Sequence, residues 1–321
     1  MRSCAILDDY QDVARSAADW RPLAGAVDVH VFTEHVSDRQ ALVETLAGFE
    51  IIVAMRERTR FDRRLFERLP RLELLVTTGM RNAAIDLEAA AAHGVTICGT
   101  RGSVGSTAEL TWGLILALMR SIPQEYARFR QGEKWQSSVG RDLRDRELGV
   151  VGFGNLGTRV ARVGLAFGMK VSAWSRSLTR ERCAESGVDY AGSLAGLLRA
   201  SDVVTLHVTL NEDSRGLIGA PQLALMKPGA FLVNTSRGPI VEERALIAAL
   251  RERRIAGAGL DVFDEEPLPL DHPYRGLDNL IATPHLGYVT EESYRIYYGE
   301  AVEDISAWLA GKPVRVLQAA S

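Results

Sequence analysis

The chain has 321 residues, of which 46% are hydrophobic and 25% are charged, and its formal net charge is -3 at pH 7. This composition is typical of globular protein, and the length predicts two domains. The small negative charge argues against nucleic acid or a membrane surface as a partner.

The N-terminus shows no charged leader followed by an apolar core, and no apolar run approaches the ~20 residues that span a bilayer. We therefore expect a cytoplasmic protein. The three cysteines, Cys4, Cys98 and Cys183, are widely separated and have no metal-ligand spacing. We expect them to be small buried side chains, and we expect no metal site.

Strand-like and helix-like segments alternate along the first hundred residues. The predicted strands are 5–7, 27–32, 51–55, 72–77 and 95–98. Between them the sequence predicts a capping box that begins at Ser37, a helical face over 61–69 that Pro70 ends, and a helix over 86–93 capped by Gly94. Alternating strands and helices predict a parallel sheet covered on both faces.

A second series of strands and helices begins near residue 148. The predicted strands are 150–153, 171–174, 203–207, 230–234, 258–261 and 280–282, with a final helix over about 291–310. This pattern predicts a second doubly wound unit. Between the two series, a very apolar helical stretch runs from 107 to about 129 and is interrupted at Pro123. Its composition predicts burial at a domain interface or a subunit interface.

A glycine motif, G-x-G-x-x-G, occupies positions 152–157 between a predicted strand and an apolar-periodic helix. In that context the glycines let the backbone approach a dinucleotide pyrophosphate at the helix N-terminus. A tight turn with no ligand is the alternative interpretation.

The next predicted strand ends at Ser175-Arg176-Ser177, where NAD enzymes typically have an acid that binds the ribose 2′-hydroxyl. Arg176 suits a 2′-phosphate instead, so the sequence favours NADP over NAD. The alternative is that Arg176 stacks on adenine and serves both cofactors.

Three polar segments follow predicted strands of the second series, at 234–238, 261–267 and 283–287. Ligands bind at the carboxyl ends of the strands in such sheets, so we expect Arg237, Glu266 and His285 to converge. Hydride transfer from a hydroxy acid needs a cation for the carboxylate, a base for the hydroxyl proton and a carboxylate that orients the base. The structural alternative is a surface ion pair of Arg237 with Glu266, together with a core histidine at 285.

These motifs resemble the D-isomer-specific 2-hydroxyacid dehydrogenase family, which includes D-3-phosphoglycerate dehydrogenases and glyoxylate/hydroxypyruvate reductases. The resemblance rests on the glycine motif and on LMKPGAFLVNTSRGPIVEE at 225–243, GLDVFDEEPLP at 259–269 and TPHLG at 283–287. It implies an α/β fold of two doubly wound parallel-sheet domains. An NAD(P)-binding Rossmann domain, 102–286, would be inserted into a flavodoxin-like substrate domain formed by 1–101 and 287–321. It also implies an oxidoreductase that interconverts a D-2-hydroxy acid and its 2-keto acid.

Carried over position by position, the resemblance implies that Arg237 binds the substrate carboxylate and carbonyl, that His285 is the acid/base and that Glu266 is its partner. The positions implied or indicated for the dinucleotide are Thr107, Gly152, Gly154, Asn155, Leu156, Gly157, Ser175, Arg176, Ser177, His207, Val208, Thr209, Ser214, Thr235, Ser236, Asp261 and Gly287. Backbone N–H groups of the loop 78–82, with Gly79, Met80 and Arg81, would hold the substrate carboxylate. Arg56 would meet a distal anionic group of the substrate.

The resemblance further implies a homodimer whose interface includes the stretch from Thr107 onward, with Trp135 reaching toward the partner's active site. Two other functions compete with this interpretation. A phosphite- or formate-type dehydrogenase has the same fold, but Glu266 with His285 argues against formate. A dinucleotide-sensing corepressor would carry added tails for its partners, which we do not expect here.

Overall fold

The computed structural model describes residues 1–318. It contains two parallel sheets, which account for the alternation of predicted strands and helices along the sequence. The strands are β1 Arg2–Ile6, β2 Val27–Val31, β3 Ile51–Ala54, β4 Leu74–Thr77, β5 Thr96–Gly99, β6 Glu147–Val151, β7 Lys170–Trp174, β8 Asp189–Tyr190, β9 Val203–Leu206, β10 Phe231–Asn234, β11 Gly257–Leu260 and β12 Leu280–Ala282. The helices are α1 Ala14–Ala17, α2 Arg39–Leu46, α3 Arg63–Phe66, α4 Leu87–Ala92, α5 Ser106–Arg120, α6 Ile122–Gln131, α7 Asn155–Ala166, α8 Arg180–Glu185, α9 Leu194–Ala200, α10 Ala220–Leu223, α11 Glu243–Arg251 and α12 Glu291–Leu309. Short 3-10 turns lie at Arg21–Leu23, Gly238–Ile240 and Pro273–Gly276.

The chain divides into two compact units. The first unit comprises Met1–Ser103 and the chain from Val289 onward, and the second unit comprises Val104–Tyr288. Each of these boundaries lies two residues after the one that the sequence predicted.

The first unit is built on a five-stranded sheet with the order β2-β1-β3-β4-β5, in which neighbouring strands pair in parallel. This is the flavodoxin-like order that the sequence predicted. Every residue of β3 and β4 is buried, as expected for parallel strands that helices cover on both faces.

The second unit is built on a seven-stranded parallel sheet with the order β12-β11-β10-β9-β6-β7-β8. The chain leaves β6 toward β7 on one side and returns to pair β9 with β6 on the other. This reversal is the point where doubly wound sheets bind ligands. Apolar clusters cover both faces of the sheet: Val150 belongs to one cluster and the next residue, Val151, to the other. The predicted fold class is therefore confirmed.

Two helix starts in the first unit differ from the prediction. Asp38, not Ser37, caps α2, because its carboxylate accepts a hydrogen bond from the Ala41 N–H at 2.7 Å. Serine and aspartate cap helices about equally well, so the spacing alone did not distinguish them. Helix α3 has only four residues, and Phe61 lies before it in a bridge with Ile85. The predicted helical face over 61–69 was therefore wrong, although Phe61 is buried.

The apolar stretch from 107 to 129 forms two helices. Ser121, with φ 51°, separates α5 from α6, and Pro123 lies in the first turn of α6, where a missing N–H is tolerated. Trp112, Ile115 and Met119 of α5 are buried in the apolar cluster of the second unit itself. The second unit itself therefore covers these side chains, and a subunit interface at this stretch stays a prediction. No helix within the described residues is long and apolar enough to cross a membrane.

Candidate active site and dinucleotide cavity

The glycine loop that joins β6 to α7 has three differently constrained glycines. Gly152 has φ +94°, and a Cβ atom there would lie 2.5 Å from the backbone carbon and oxygen of His207. A Cβ atom on Gly157 would lie 2.0 Å from the Gly152 oxygen, whereas Gly154, at the start of α7, faces open space. Packing therefore requires the first and third glycines, and the second leaves the helix N-terminus accessible to an anionic group.

A cavity of about 380 Å³ lies beside this loop, within the second unit. Nine of the predicted dinucleotide positions line it: Gly152, Gly154, Ser175, Arg176, Ser177, His207, Val208, Thr209 and Ser214. The sequence analysis missed the other lining residues, which are Phe153, Trp174, Leu178, Arg182, Asn211, Asp213 and Leu217. Apolar and aromatic walls with two arginines suit a planar base and anionic groups.

His207 lines the same cavity at the end of β9. Burial lowers its pKa to about 4, so the imidazole is neutral at neutral pH. Its Nε2 lies 2.9 Å from Oγ1 of Thr205, and its Nδ1 is buried without a hydrogen-bond partner among residues 1–318. A buried ring nitrogen without a partner is unfavourable unless a bound group satisfies it. The cavity therefore fits a ligand with hydrogen-bonding groups, as a dinucleotide has.

The end of the cavity formed by β7 carries both a cation and an acid. The Arg176 guanidinium pairs with the Asp213 carboxylate and also donates to the Asp213 backbone oxygen. Although Ser175 is not acidic, a carboxylate from the loop after β9 therefore lies at this end of the cavity. The sequence did not predict it, because Asp213 is 37 residues from Arg176 along the chain.

The remaining predicted dinucleotide positions lie outside the lining of this cavity; they are Thr107, Asn155, Leu156, Gly157, Thr235, Ser236, Asp261 and Gly287. Asn155, Leu156 and Gly157 form the first turn of α7. The Ser236 hydroxyl donates to the Val208 oxygen at 2.5 Å, and the hydroxyls of Thr235 and Thr111 lie 2.8 Å apart.

Asp261 anchors the turn that carries His285. It accepts hydrogen bonds from the N–H groups of Leu286 and Gly287, at 2.7 and 2.8 Å, and from the Thr283 hydroxyl at 2.6 Å. Thr107 donates to the Gly287 oxygen at 3.0 Å, which ties the same turn to α5. Burial raises the pKa of Asp261, and the hydrogen bonds oppose that effect by favouring the carboxylate.

Glu266 and His285 meet at the ends of the neighbouring strands β11 and β12. Oε2 of Glu266 lies 2.6 Å from Nδ1 of His285, and Oε1 accepts the Phe263 N–H at 2.8 Å. The imidazole packs edge-on against the Tyr288 ring, with 5.3 Å between the ring centroids. His285 has φ 54°, a conformation that non-glycine residues seldom adopt outside functional or tightly constrained turns. The arrangement holds one ring nitrogen on a carboxylate and leaves Nε2 for proton exchange.

Arg237 lies just after β10, in a turn that packs against the segment carrying Glu266. A Cβ atom on Gly238 would lie 2.1 Å from the backbone carbon of Phe263, so the two segments are in direct contact. The Asn234 side chain donates to the Arg237 oxygen at 2.9 Å, and the Arg237 guanidinium donates to the Ser236 oxygen at 2.7 Å. The three predicted catalytic residues therefore follow three consecutive strands, β10, β11 and β12.

In the first unit, the loop after β4 is held by the residues after β3. The Arg56 guanidinium donates to the Thr78 oxygen at 3.3 Å, and a Cβ atom on Gly79 would lie 2.0 Å from Arg56 Nη1. The Gly79 N–H donates to the Thr100 hydroxyl at 3.1 Å. Met80 and Arg81, which follow, are exposed. The structure thus places Arg56 directly against the predicted substrate loop.

Comparisons with known proteins show which proteins this chain is similar to. Residues 112–287 match the family model described as D-isomer specific 2-hydroxyacid dehydrogenase, NAD binding domain. The chain is 41% identical over 294 residues to a (S)-sulfolactate dehydrogenase of Chromohalobacter salexigens, covering 91% of this chain and 93% of that protein. It is 40% identical over 262 residues to a glyoxylate reductase of Aeropyrum pernix, covering 79% and 78%. A crystal structure of phosphoglycerate oxidoreductase from Vibrio cholerae aligns with a TM-score of 0.92 at 37% identity, covering 97% of this chain and 100% of the other.

Proposed function

We propose that the protein reduces a 2-keto acid to the D-2-hydroxy acid, with His285 as the acid/base. The chain belongs to the D-isomer-specific 2-hydroxyacid dehydrogenase family, and it is therefore an oxidoreductase with a nicotinamide cofactor. The observation that carries this proposal is the 2.6 Å contact between Nδ1 of His285 and Glu266. Both residues belong to the unit that also holds the glycine loop and its cavity.

A bound nicotinamide would supply the hydride that reaches C2 of the keto acid. His285 gives the proton on Nε2 to the carbonyl oxygen, so that a C–H and an O–H bond form together. Glu266 keeps the ring in orientation through its contact with Nδ1. Arg237 binds the substrate carboxylate and polarises the carbonyl, for which a planar guanidinium with several donors is suited.

The proposed substrate residues of the first unit are Arg56 and residues of the loop after β4. The Gly79 N–H already donates to Thr100, so the N–H groups of Met80 and Arg81 are the donors proposed for the carboxylate. Arg56 and Arg81 favour a substrate with a second anionic group. The name of the Chromohalobacter salexigens relative, a (S)-sulfolactate dehydrogenase, supports this choice, because sulfolactate carries a sulfonate beside its carboxylate.

For the cofactor, we propose that NADPH is used more efficiently than NADH. The support is the absence of an acid at Ser175 and the guanidinium of Arg176, both in the lining of the cavity. In the same proposal, the dinucleotide extends from the cavity toward His285. It would contact Thr107, Thr235, Asp261 and Gly287.

We also propose that the protein is a homodimer whose interface includes α6. Ile122, Tyr126, Phe129 and Trp135 are each more than half exposed and line a groove of about 780 Å³. The rings of Phe129 and Trp135 pack together, with 6.2 Å between their centroids. An exposed apolar patch of this kind is typical of a protein interface, and a twofold axis would bring two copies of it together.

The proposed reaction is tested by mixing the purified protein with NADPH or NADH and a panel of 2-keto acids, and following absorbance at 340 nm. The panel pairs glyoxylate and hydroxypyruvate with sulfopyruvate and other keto acids that carry a second anion. We expect oxidation that depends on the keto acid and is fastest with a dianionic substrate. Folded protein that binds a dinucleotide but reduces no 2-keto acid would overturn the proposal.

A further inference from the structure

Asp213 shares the mouth of the dinucleotide cavity with Arg176. The side chains of Arg176 and Asp213 are 53% and 71% exposed, and the guanidinium is bound both by the carboxylate and by the backbone oxygen of Asp213. Arg176 follows β7, whereas Asp213 lies in the loop after β9, so the pair joins two strand ends on either side of β6.

The loop that presents Asp213 is held by its own hydrogen bonds. The Asn211 N–H donates to the Ser214 hydroxyl at 2.8 Å, and the Ser214 N–H donates to the Asn211 side chain at 3.0 Å. The Ser214 hydroxyl in turn donates to the Thr209 oxygen at 2.7 Å, and Ser214 is buried. The loop is therefore held by these bonds, and its Asp213 lies beside Arg176.

We propose that Asp213 is a residue that determines cofactor specificity, because it competes with a 2′-phosphate for the Arg176 guanidinium. This inference rests on the proposed function, in which Arg176 recognises NADP. An ion pair between two exposed side chains is weak, so a dianionic phosphate can replace the carboxylate. The displaced carboxylate still lies near the phosphate and repels it. A ribose 2′-hydroxyl carries no charge and is not repelled, so Asp213 limits the preference for NADP that Arg176 creates.

Calorimetric titration of the full chain with 5′-AMP and with adenosine 2′,5′-bisphosphate (2′,5′-ADP) tests this inference without turnover. These probes differ only in the 2′-phosphate. The variants are Asp213→Asn, Arg176→Ala and the double variant. The matched control is Glu212→Gln, which removes one negative charge at the neighbouring exposed residue outside the cavity lining.

We expect Asp213→Asn to tighten 2′,5′-ADP binding about three- to tenfold at low salt while 5′-AMP binding changes less than about twofold. Glu212→Gln should leave the affinity for both ligands unchanged. In the Arg176→Ala background, Asp213→Asn should have less than about half of this effect, because the competition requires the guanidinium.

Two failures are distinguishable. If Arg176→Ala weakens 2′,5′-ADP binding but Asp213→Asn leaves the ratio of the two affinities unchanged, the role of Asp213 is refuted and the proposed NADP recognition stands. If Arg176→Ala leaves that ratio unchanged, the NADP recognition is refuted, and the role of Asp213 with it. An equal gain from Asp213→Asn with and without Arg176 would also overturn the competition.

Discussion

Nδ1 of His285 lies 2.6 Å from Oε2 of Glu266, whose other carboxylate oxygen accepts the backbone N–H of Phe263 at 2.8 Å. The carboxylate is therefore fixed at both oxygens, and the imidazole is fixed at one nitrogen. In the proposed reaction, the proton of the remaining nitrogen, Nε2, is the one that reaches the carbonyl oxygen.

Replacing His285 by asparagine should lower kcat for keto-acid reduction by about 10²- to 10⁴-fold, because the general acid is lost. Binding of 2′,5′-ADP should remain within about twofold, since that cavity does not include His285. Steady-state kinetics and calorimetry measure the two effects. The matched control is His272→Asn, which removes another histidine paired with a carboxylate, Glu243, at 3.2 Å. Normal turnover by a folded His285→Asn protein would remove this residue from the mechanism.

Replacing Glu266 by glutamine should lower kcat for keto-acid reduction, because the amide does not hold Nδ1 of His285 as the carboxylate does and the ring loses its orientation. Steady-state kinetics measure the loss. Glu265→Gln, at the neighbouring exposed position, is the control and should follow the wild type. An unchanged kcat for a folded Glu266→Gln protein would refute the coupling.

The apolar patch on α6 predicts the oligomeric state. The wild type should sediment as a dimer at micromolar concentration, and Phe129→Asp should shift it toward monomer because it places a charge within the proposed interface. Leu270→Asp is the control, since Leu270 is 90% exposed and lies outside the groove. A monomeric wild type, or a Phe129→Asp variant with unchanged mass, would show that this patch is not the dimer interface.

Asp304 in α12 predicts a dependence of stability on pH. Burial raises its pKa to about 7, against the attraction of Arg315, whose Nε donates to Oδ1 at 3.0 Å. The carboxyl group therefore holds its proton more tightly in the folded state than in the unfolded state. Its contribution to the free energy of unfolding is fully present below about pH 4 and is lost as the pH rises through about 7.

Asp304→Asn keeps an oxygen acceptor for Arg315 and removes the ionisation. Between pH 5 and pH 8 the wild type should therefore lose more stability than the variant, by an amount on the order of 1–3 kcal/mol. Thermal unfolding followed by circular dichroism at a series of pH values measures this difference. Glu303→Gln, which removes an exposed carboxylate paired with the same arginine, is the control. Parallel curves for wild type and Asp304→Asn would contradict the prediction.

Much of the fold could be predicted because the local signals agree with the tertiary structure. Buried parallel strands such as β3 and β4 are continuous apolar segments, and Asp86 and Gly94 mark the two ends of α4 as expected. The short edge strand β8 was missed, because two residues carry no periodic pattern. Phe61 was placed in a helix because apolar spacing does not distinguish a helical face from buried loop residues.

The candidate site was predictable only where the chemistry lies within a motif. Glu266 and His285 were expected to meet, and they do. Asp213 was not expected beside Arg176, because the pairing of β9 with β6 brings the two loops together and no local pattern encodes it. The cluster of the second unit that covers Trp112 was not predicted, because composition shows that a helix is buried but not what covers it.

The most direct test of the proposed reaction follows the hydride itself. The protein is incubated with a 2-keto acid and a reduced nicotinamide cofactor that carries deuterium at both C4 positions, and the product is examined by chiral chromatography and mass spectrometry. We predict one deuterium at C2 of the D-2-hydroxy acid from the wild type, and a strongly reduced amount from His285→Asn. A product without deuterium at C2, an L-configured product, or equal yields from both proteins would contradict the proposed mechanism.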